Sequence, residues 1–219
     1  MSQPLVIDYY SDVLCVWAWI AQRRLDELQT QWGDKIQVRH HYLNLFGDTR
    51  TRMQKQWGEK GGYTGFAEHV LTSASPFENA PVNPLIWQQN QPLTSANAHL
   101  LLKAVSIIHG EHKETEFALN LRQKFFIDAV NIGEMGVLKS LAEDEGFDVH
   151  SLQQVTDSGQ APAALMTDYQ AALDQGIKGS PSWVMDNGRQ ILYGNVGYRV
   201  LQANVEELIN QPQQEASWC

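Results

Sequence analysis

Apolar and polar positions follow two different periods along the chain, and each change of period marks an element. Leu5-Val6-Ile7-Asp8-Tyr9-Tyr10 is a short, mostly apolar run of β-formers, which predicts a buried strand. Ser11 and Asp12 follow and suit a turn. From about Cys15 the spacing turns helical. Trp17, Ala21, Leu25, Leu28 and Trp32 recur every three or four residues, the stripe of a core-facing helix. Gly33 fits the position just past the helix end. Ile36, Val38, His40 and Tyr42 then alternate with Gln37, Arg39 and His41, the period of a second strand. Strand, helix and strand within about 40 residues make a βαβ unit, and the right-handed crossover rule makes the two strands parallel.

Between Gly47 and Gly179 the pattern shows no convincing strand. Residues 100–108, 117–129, 137–142 and 163–173 read as amphipathic helices. Asp148 is a candidate N-cap for a short helix through Val155. Residues 58–92 carry many glycines and prolines and predict irregular chain with one helix around 66–71. The β pattern then returns. Ser182-Trp183-Val184-Met185 and Gln190-Ile191-Leu192-Tyr193 flank Asp186-Asn187-Gly188-Arg189, and Asn-Gly between two β-prone runs predicts a hairpin. A last helix over 198–209 follows, with Val200, Leu201, Val205, Leu208 and Ile209 as its stripe, and 210–219 reads as a frayed end. The expectation is an α/β sandwich with helices inserted between its halves. Its boundaries are 1–46 and 176–219 for a discontinuous α/β domain and 47–175 for the insertion.

Composition narrows the function classes. No apolar run approaches the roughly 20 residues that span a bilayer. The start Met1-Ser2-Gln3-Pro4 has no basic residue before its apolar run, so the reading is no signal peptide, no membrane and a cytoplasmic location. A formal net charge of −9 argues against nucleic acid as the partner, because phosphate binding needs a basic surface. One local exception is Arg50, Arg52, Lys55 and Lys60. It reads either as a solvated helix face, as charge runs usually do, or as a rim that attracts a carboxylate-bearing ligand. The 2 cysteines are Cys15 and Cys219. In a reducing compartment a structural disulfide between them is not expected. Neither they nor the 7 histidines fall into a metal-site spacing, so no metal is expected. His40 and His41 adjoin on a strand and point to opposite faces, which places His40 in the core as a satisfied histidine.

Cys15 follows the first strand and opens the first helix. Unsatisfied N–H groups and the helix dipole at such a position favour a thiolate, and thiol pKa values there fall from about 8.5 to roughly 3.5–7.5. The end of a strand in an open α/β sheet is also where ligands bind. The alternative is that Cys15 is a small buried apolar residue. Gly179-Ser180-Pro181-Ser182 precedes the third strand, where a proline loses no needed donor and where a cis bond is tolerated in a tight turn.

Together the two features resemble a known family. Asp12-Val13-Leu14-Cys15-Val16-Trp17-Ala18-Trp19 resembles the active-site segment of DsbA-like oxidoreductases of the FrnE type, whose pattern is Asp-x-x-Cys-Pro-Trp-Cys. Ile177-Lys178-Gly179-Ser180-Pro181 matches that superfamily's cis-proline loop. Pro92-Leu93-Thr94-Ser95-Ala96-Asn97-Ala98-His99 resembles the segment that opens the insertion's long helix. The stretch from Phe125-Phe126 through Asn131-Ile132 to Val137-Leu138 resembles a later family segment. The resemblance implies a thioredoxin-like fold, βαβ then ββα, with an all-helical insertion. It also implies kinship with kappa-class glutathione transferases and 2-hydroxychromene-2-carboxylate isomerases, which carry serine at the active position.

The chain departs from the family at two positions. The resolving cysteine falls on Ala18 and the motif proline on Val16, so no disulfide can form within the motif. By resemblance, Cys15 is the catalytic residue, and Trp17, Ser180, Pro181 and Asn195 hold the thiol substrate. Kappa transferases hold glutathione with a Ser-Asp pair; the matching Gly194-Asn195-Val196-Gly197 lacks the acid. Cys219 reads as an exposed tail cysteine or as a resolving thiol on an arm that could extend about 30 Å.

Three readings follow. The first is a monothiol oxidoreductase acting on thiol or disulfide substrates, protein or glutathione. The second is a glutathione-dependent transferase or isomerase with Cys15 in the serine role. The third is a binding module on the same scaffold. No tightly bound cofactor is expected, glutathione is the candidate co-substrate, no general base stands out beside Cys15, and monomer and dimer both remain open.

Overall fold

A computed structural model describes residues 3–210. Strand β1 (Leu5–Ser11) leads into helix α1 (Val16–Trp32) and strand β2 (Ile36–Tyr42). Seven helices follow among the described residues: α2 (Thr49–Trp57), α3 (Gly62–Ala74), α4 (Ala96–His109), α5 (Glu111–Phe126), α6 (Met135–Asp144), α7 (Val149–Asp157) and α8 (Gln160–Asp174). Strands β3 (Ser182–Met185) and β4 (Gln190–Tyr193) and helix α9 (Tyr198–Asn210) complete the described chain. The sheet has the order β2-β1-β3-β4, with β1 parallel to β2 and antiparallel to β3, and β3 antiparallel to β4. This is the thioredoxin-like α/β fold with a helical segment between the halves of its sheet. None of the described helices is long and apolar enough to cross a membrane.

The alternation of β1 and β2 sorts their side chains between two faces, as the strand period requires. Ile7 and Tyr9 of β1 and Ile36 of β2 pack with Ala21, Leu25 and Leu28 of α1 and with Leu201, Val205 and Leu208 of α9. Tyr10 and Val184 on the opposite face pack with Leu43 and Ala172 of α8. Most of the remaining apolar burial lies in the helical segment, which continues onto Val13, Leu14, Trp19 and Ile20. Helix α1 therefore buries two sides. Trp17 was expected in its core stripe, but Val16, Ala18, Trp19 and Ile20 are buried in its first turn while Trp17 is only half-buried.

Most of the helices extend beyond the periodic signal, α3 and α5 furthest. Helix α5 begins six residues before Phe117 because Gly110, at φ 87°, separates it from α4, and Glu111 and Glu114 in its first turn suit the positive end of the dipole. It ends at Phe126 rather than Ala129, which has left-handed backbone at φ 54°. Helix α3 runs over Gly62–Ala74, longer on both sides than the apolar stretch at 66–71. The cap at Asp148 and the hairpin form as the sequence predicts: Asp148 accepts from the His150 N–H at 3.0 Å, and Asn187 takes the left-handed φ of 55° that the turn requires.

A chain of charges ties the sheet to the helical segment. His41 bonds Asp8 through Nε2 and Asp168 through Nδ1, both at 2.9 Å. Asp168 also meets Lys103 Nζ at 2.9 Å and accepts from the Tyr42 N–H at 3.0 Å. Lys103 reaches Glu114 at 3.1 Å and the His40 carbonyl at 3.2 Å. The adjacent histidine differs. His40 is buried against Tyr9, yet its Nδ1 has no hydrogen-bond partner among the described residues, so it is not the satisfied core histidine expected. Burial, aided by the Arg122 and Lys103 charges, pushes its pKa down to about 3 and keeps it neutral.

Burial opposes charge on His41, but the hydrogen bonds and charges of Asp168 and Asp8 outweigh it and raise the pKa to about 9. The folded state therefore holds a proton that the unfolded chain releases near pH 6.5. The resulting stabilisation is complete below about pH 6.5 and is lost as pH rises through about 9. His41→Asn should cost on the order of 2 kcal/mol at pH 6, between exposed and buried pairs. Urea unfolding at several pH values should show a decline between pH 6.5 and 9 in wild type that flattens in the variant.

Candidate active site

The site forms where β1 ends and α1 begins. Cys15 is the N-cap residue of α1, with extended backbone at φ −82° and ψ 117° and no side-chain cap bond. Its Sγ lies 3.3 Å from the carbonyl oxygen of Ser180, and the Ser180–Pro181 bond is cis. The loop and the helix start are tied directly, since the Asp12 N–H donates to Ser180 Oγ at 3.1 Å. Gly179 lies beside them. A Cβ there would meet the ring of Tyr193, which lies across the loop from β4 and would have to shift.

Asp12 holds this corner together. Its carboxylate is fully buried and accepts three bonds. Leu14 N–H reaches Oδ1 at 3.0 Å; Phe46 N–H and Ser95 Oγ reach Oδ2 at 3.0 and 2.8 Å. It therefore joins the start of α1, the segment after β2 and the N-cap of α4. His99 Nε2 lies 3.7 Å from Asp12 Oδ1 and accepts from the Val13 N–H at 3.2 Å. Burial lowers the His99 pKa to about 4 against the opposing pull of Asp12, so this contact joins a neutral imidazole and a carboxylate and is not an ion pair.

Cys15 opens on a cavity of about 340 Å³. Trp17, Phe46, Trp57, Phe66 and Tyr193 give it aromatic walls, and Arg52, His69 and Lys178 supply its basic groups. Of the residues expected to hold substrate, Trp17 and Ser180 line this cavity and Pro181 follows Ser180 directly. Asn195 is exposed on the loop after β4 and is not among the lining residues. Of the basic cluster, Arg50, Lys55 and Lys60 are exposed, whereas Arg52 is half-buried with its guanidinium 4.7 Å over the Phe46 ring. His69 sits against Trp57 and Phe66, and partial burial together with the Lys60 charge lowers its pKa. Sequence alone gave no signal for His69, although it lies within the helix expected around 66–71.

The thiol does not follow the expectation of a thiolate. Cys15 is 6% exposed, and burial raises its pKa; hydrogen bonding from Ser180 and from the Ala18 and Trp17 backbone pulls the other way without overcoming burial, and the Asp12 charge adds to the rise. Where its partner cysteine would stand, Ala18 is fully buried. Cys219 lies outside the described residues. Among those residues no group of three or more His, Cys, Asp or Glu is placed to hold a metal ion.

A cysteine at a helix N-terminus facing a cis-proline loop defines a thioredoxin-fold thiol site. The chain belongs to the DSBA-like thioredoxin domain family, whose sequence model matches residues 6–206. The cytosolic disulfide reductase DsbM from Pseudomonas aeruginosa superposes with a TM-score of 0.69 at 17% identity, covering 92% of this chain and 99% of that one. A 2-hydroxychromene-2-carboxylate isomerase superposes with a TM-score of 0.64 at 16% identity, covering 94% and 97%. The ClpXP adapter protein SpxH of Halalkalibacterium halodurans is 24% identical over 191 residues, 84% of this chain; the chain spans 60% of that relative's length.

Alkylation of Cys15, followed by peptide-resolved mass spectrometry, should have its pH midpoint above the free-thiol value of about 8.5. Asp12→Asn removes a charge that disfavours the thiolate and should move the midpoint down.

Proposed function

We propose that this chain is a monothiol member of its family that exchanges thiols and disulfides through Cys15. The observation that carries the reading is the approach of Cys15 Sγ to the Ser180 carbonyl beside an open cavity. There an extended thiol substrate would lie along the cis-proline loop. In the exchange, Cys15 gives up its proton to solvent and attacks a substrate disulfide. One sulfur joins Cys15 and the other leaves as a thiolate; a second thiol then attacks the mixed disulfide and releases Cys15. Glutathione is the co-substrate of choice for that second step, and DsbM of P. aeruginosa has been solved with it. No tightly bound cofactor enters the scheme, and a reducing compartment such as the cytosol supplies the thiol.

The raised Cys15 pKa and the absence of a second cysteine at Ala18 favour a second reading, a glutathione-dependent transferase or isomerase. In that reaction Cys15 donates a hydrogen bond to the glutathione sulfur and forms no covalent bond.

Glutathione–disulfide exchange on wild type and Cys15→Ser separates the two. Loss of at least a hundredfold in the variant is the expected result, and equal rates would remove the covalent reading. Ala18→Cys should restore a motif disulfide, seen as a loss of two hydrogens in the intact mass under oxidant.

A further inference from the structure

The chain carries a net charge of −9, yet no aspartate or glutamate is among the residues that line the Cys15 cavity, while Arg52 and Lys178 are. Lys178 is exposed and its charge is shared with water. Arg52 is different. Its guanidinium is half-buried, rests on the Phe46 ring, and makes one long bond, from Nη1 to the Leu45 carbonyl at 3.4 Å. Its Nε is buried with no hydrogen-bond partner, and among the described residues no carboxylate lies within ion-pair distance. Asp12 and Cys15 are close enough to act on it electrostatically, but the Asp12 carboxylate already accepts three hydrogen bonds and does not line the cavity.

A guanidinium offers five donors in a rigid fork that matches a carboxylate. Holding one partly out of water beside a nucleophile, with its buried Nε unbonded, is unfavourable unless an anion completes it. We infer that Arg52 is the specificity-determining residue of this site and binds a carboxylate of the substrate while Cys15 meets its sulfur or electrophilic carbon. The substrate class is a small thiol, disulfide or electrophile bearing a carboxylate within reach of the reacting atom. Lys178 adds long-range attraction only. This assignment rests on the reading of Cys15 as the reacting group, and one part of its test does not depend on it.

Iodoacetate and iodoacetamide differ in one carboxylate and are similar in size. Their rates of Cys15 labelling, measured by peptide-resolved mass spectrometry on the full chain, give a ratio for the native protein and for the same protein in urea. The native ratio should favour iodoacetate about tenfold over the unfolded one, the scale of one charge-assisted hydrogen bond. Arg52→Gln should return it to the unfolded value with iodoacetamide labelling retained. Arg52→Lys should give an intermediate ratio and Lys178→Gln a small change that 0.5 M salt abolishes. A native ratio equal to the unfolded one, or a ratio unaffected by Arg52→Gln, overturns the assignment. Labelling by neither reagent would instead remove Cys15 as the reacting group. For that case, Cys15→Ser protein is titrated with S-methylglutathione and its diethyl ester, followed by tryptophan fluorescence. The acid should bind about tenfold tighter, and Arg52→Gln should erase the difference. Equal affinity, or binding of neither, overturns the assignment independently of Cys15.

Discussion

The site depends on the burial of one carboxylate. Asp12 has no exposure to solvent, and an ionised carboxylate in that position is tolerated only when its oxygens are fully bonded. The bonds come from α1, from the segment after β2 and from the start of α4, while its own N–H fixes the cis-proline loop. Four segments that are distant in sequence are thereby brought to the same few ångströms around Cys15. Moving α1, the segment after β2 or the start of α4 would leave the buried charge short of a partner, and moving the cis-proline loop would leave the Asp12 N–H without its acceptor. The positions of Ser180 and Phe46 relative to the thiol follow from that requirement.

The same enclosure decides the character of the thiol. A helix N-terminus favours the thiolate. Here the helical segment covers the first turn of α1, with Val13, Leu14, Val16 and Ala18 all buried, and burial outweighs the dipole. The site is thus built around a protonated sulfur in an aromatic cavity with cations at its walls. A cation entering the cavity would favour the thiolate, whereas an anion or further loss of water would hold the proton more tightly.

Much of the architecture is legible in the sequence because each period is uninterrupted where the elements are strongest. The alternation over 36–42, the stripe from Ala21 to Leu28 and the Asn187-Gly188 turn each have one reading. The starts of α3 and α5 are not legible, because their first turns are polar and glycine-bounded and depend on tertiary contacts. For the site, Cys15, Ser180 and Pro181 stand out by chemistry and by their place at element ends. Arg52 is visible only as one of four nearby cations; its partial burial over Phe46 depends on where α2 packs. Trp17 and Trp19 exchange the roles that a single core stripe suggests, because α1 is covered on two sides. His69 on α3 and Asn195 on the loop after β4 go opposite ways for the same reason: which residues face a cavity is set by packing that no local pattern encodes.

The sheet joins β1 to β3, a strand more than 170 residues away in sequence, with Ile7 opposite Met185 and Tyr10 opposite Ser182. A chain made from its N-terminus has β1 and β2 long before it has β3. Until the last quarter has left the ribosome, β1 keeps one row of backbone donors and acceptors unpaired, with Ile7 and Tyr9 on the strand that bears it. Such an edge is a template for any other strand. The length of the inserted helical segment therefore sets how long the nascent chain must be kept from pairing with its neighbours.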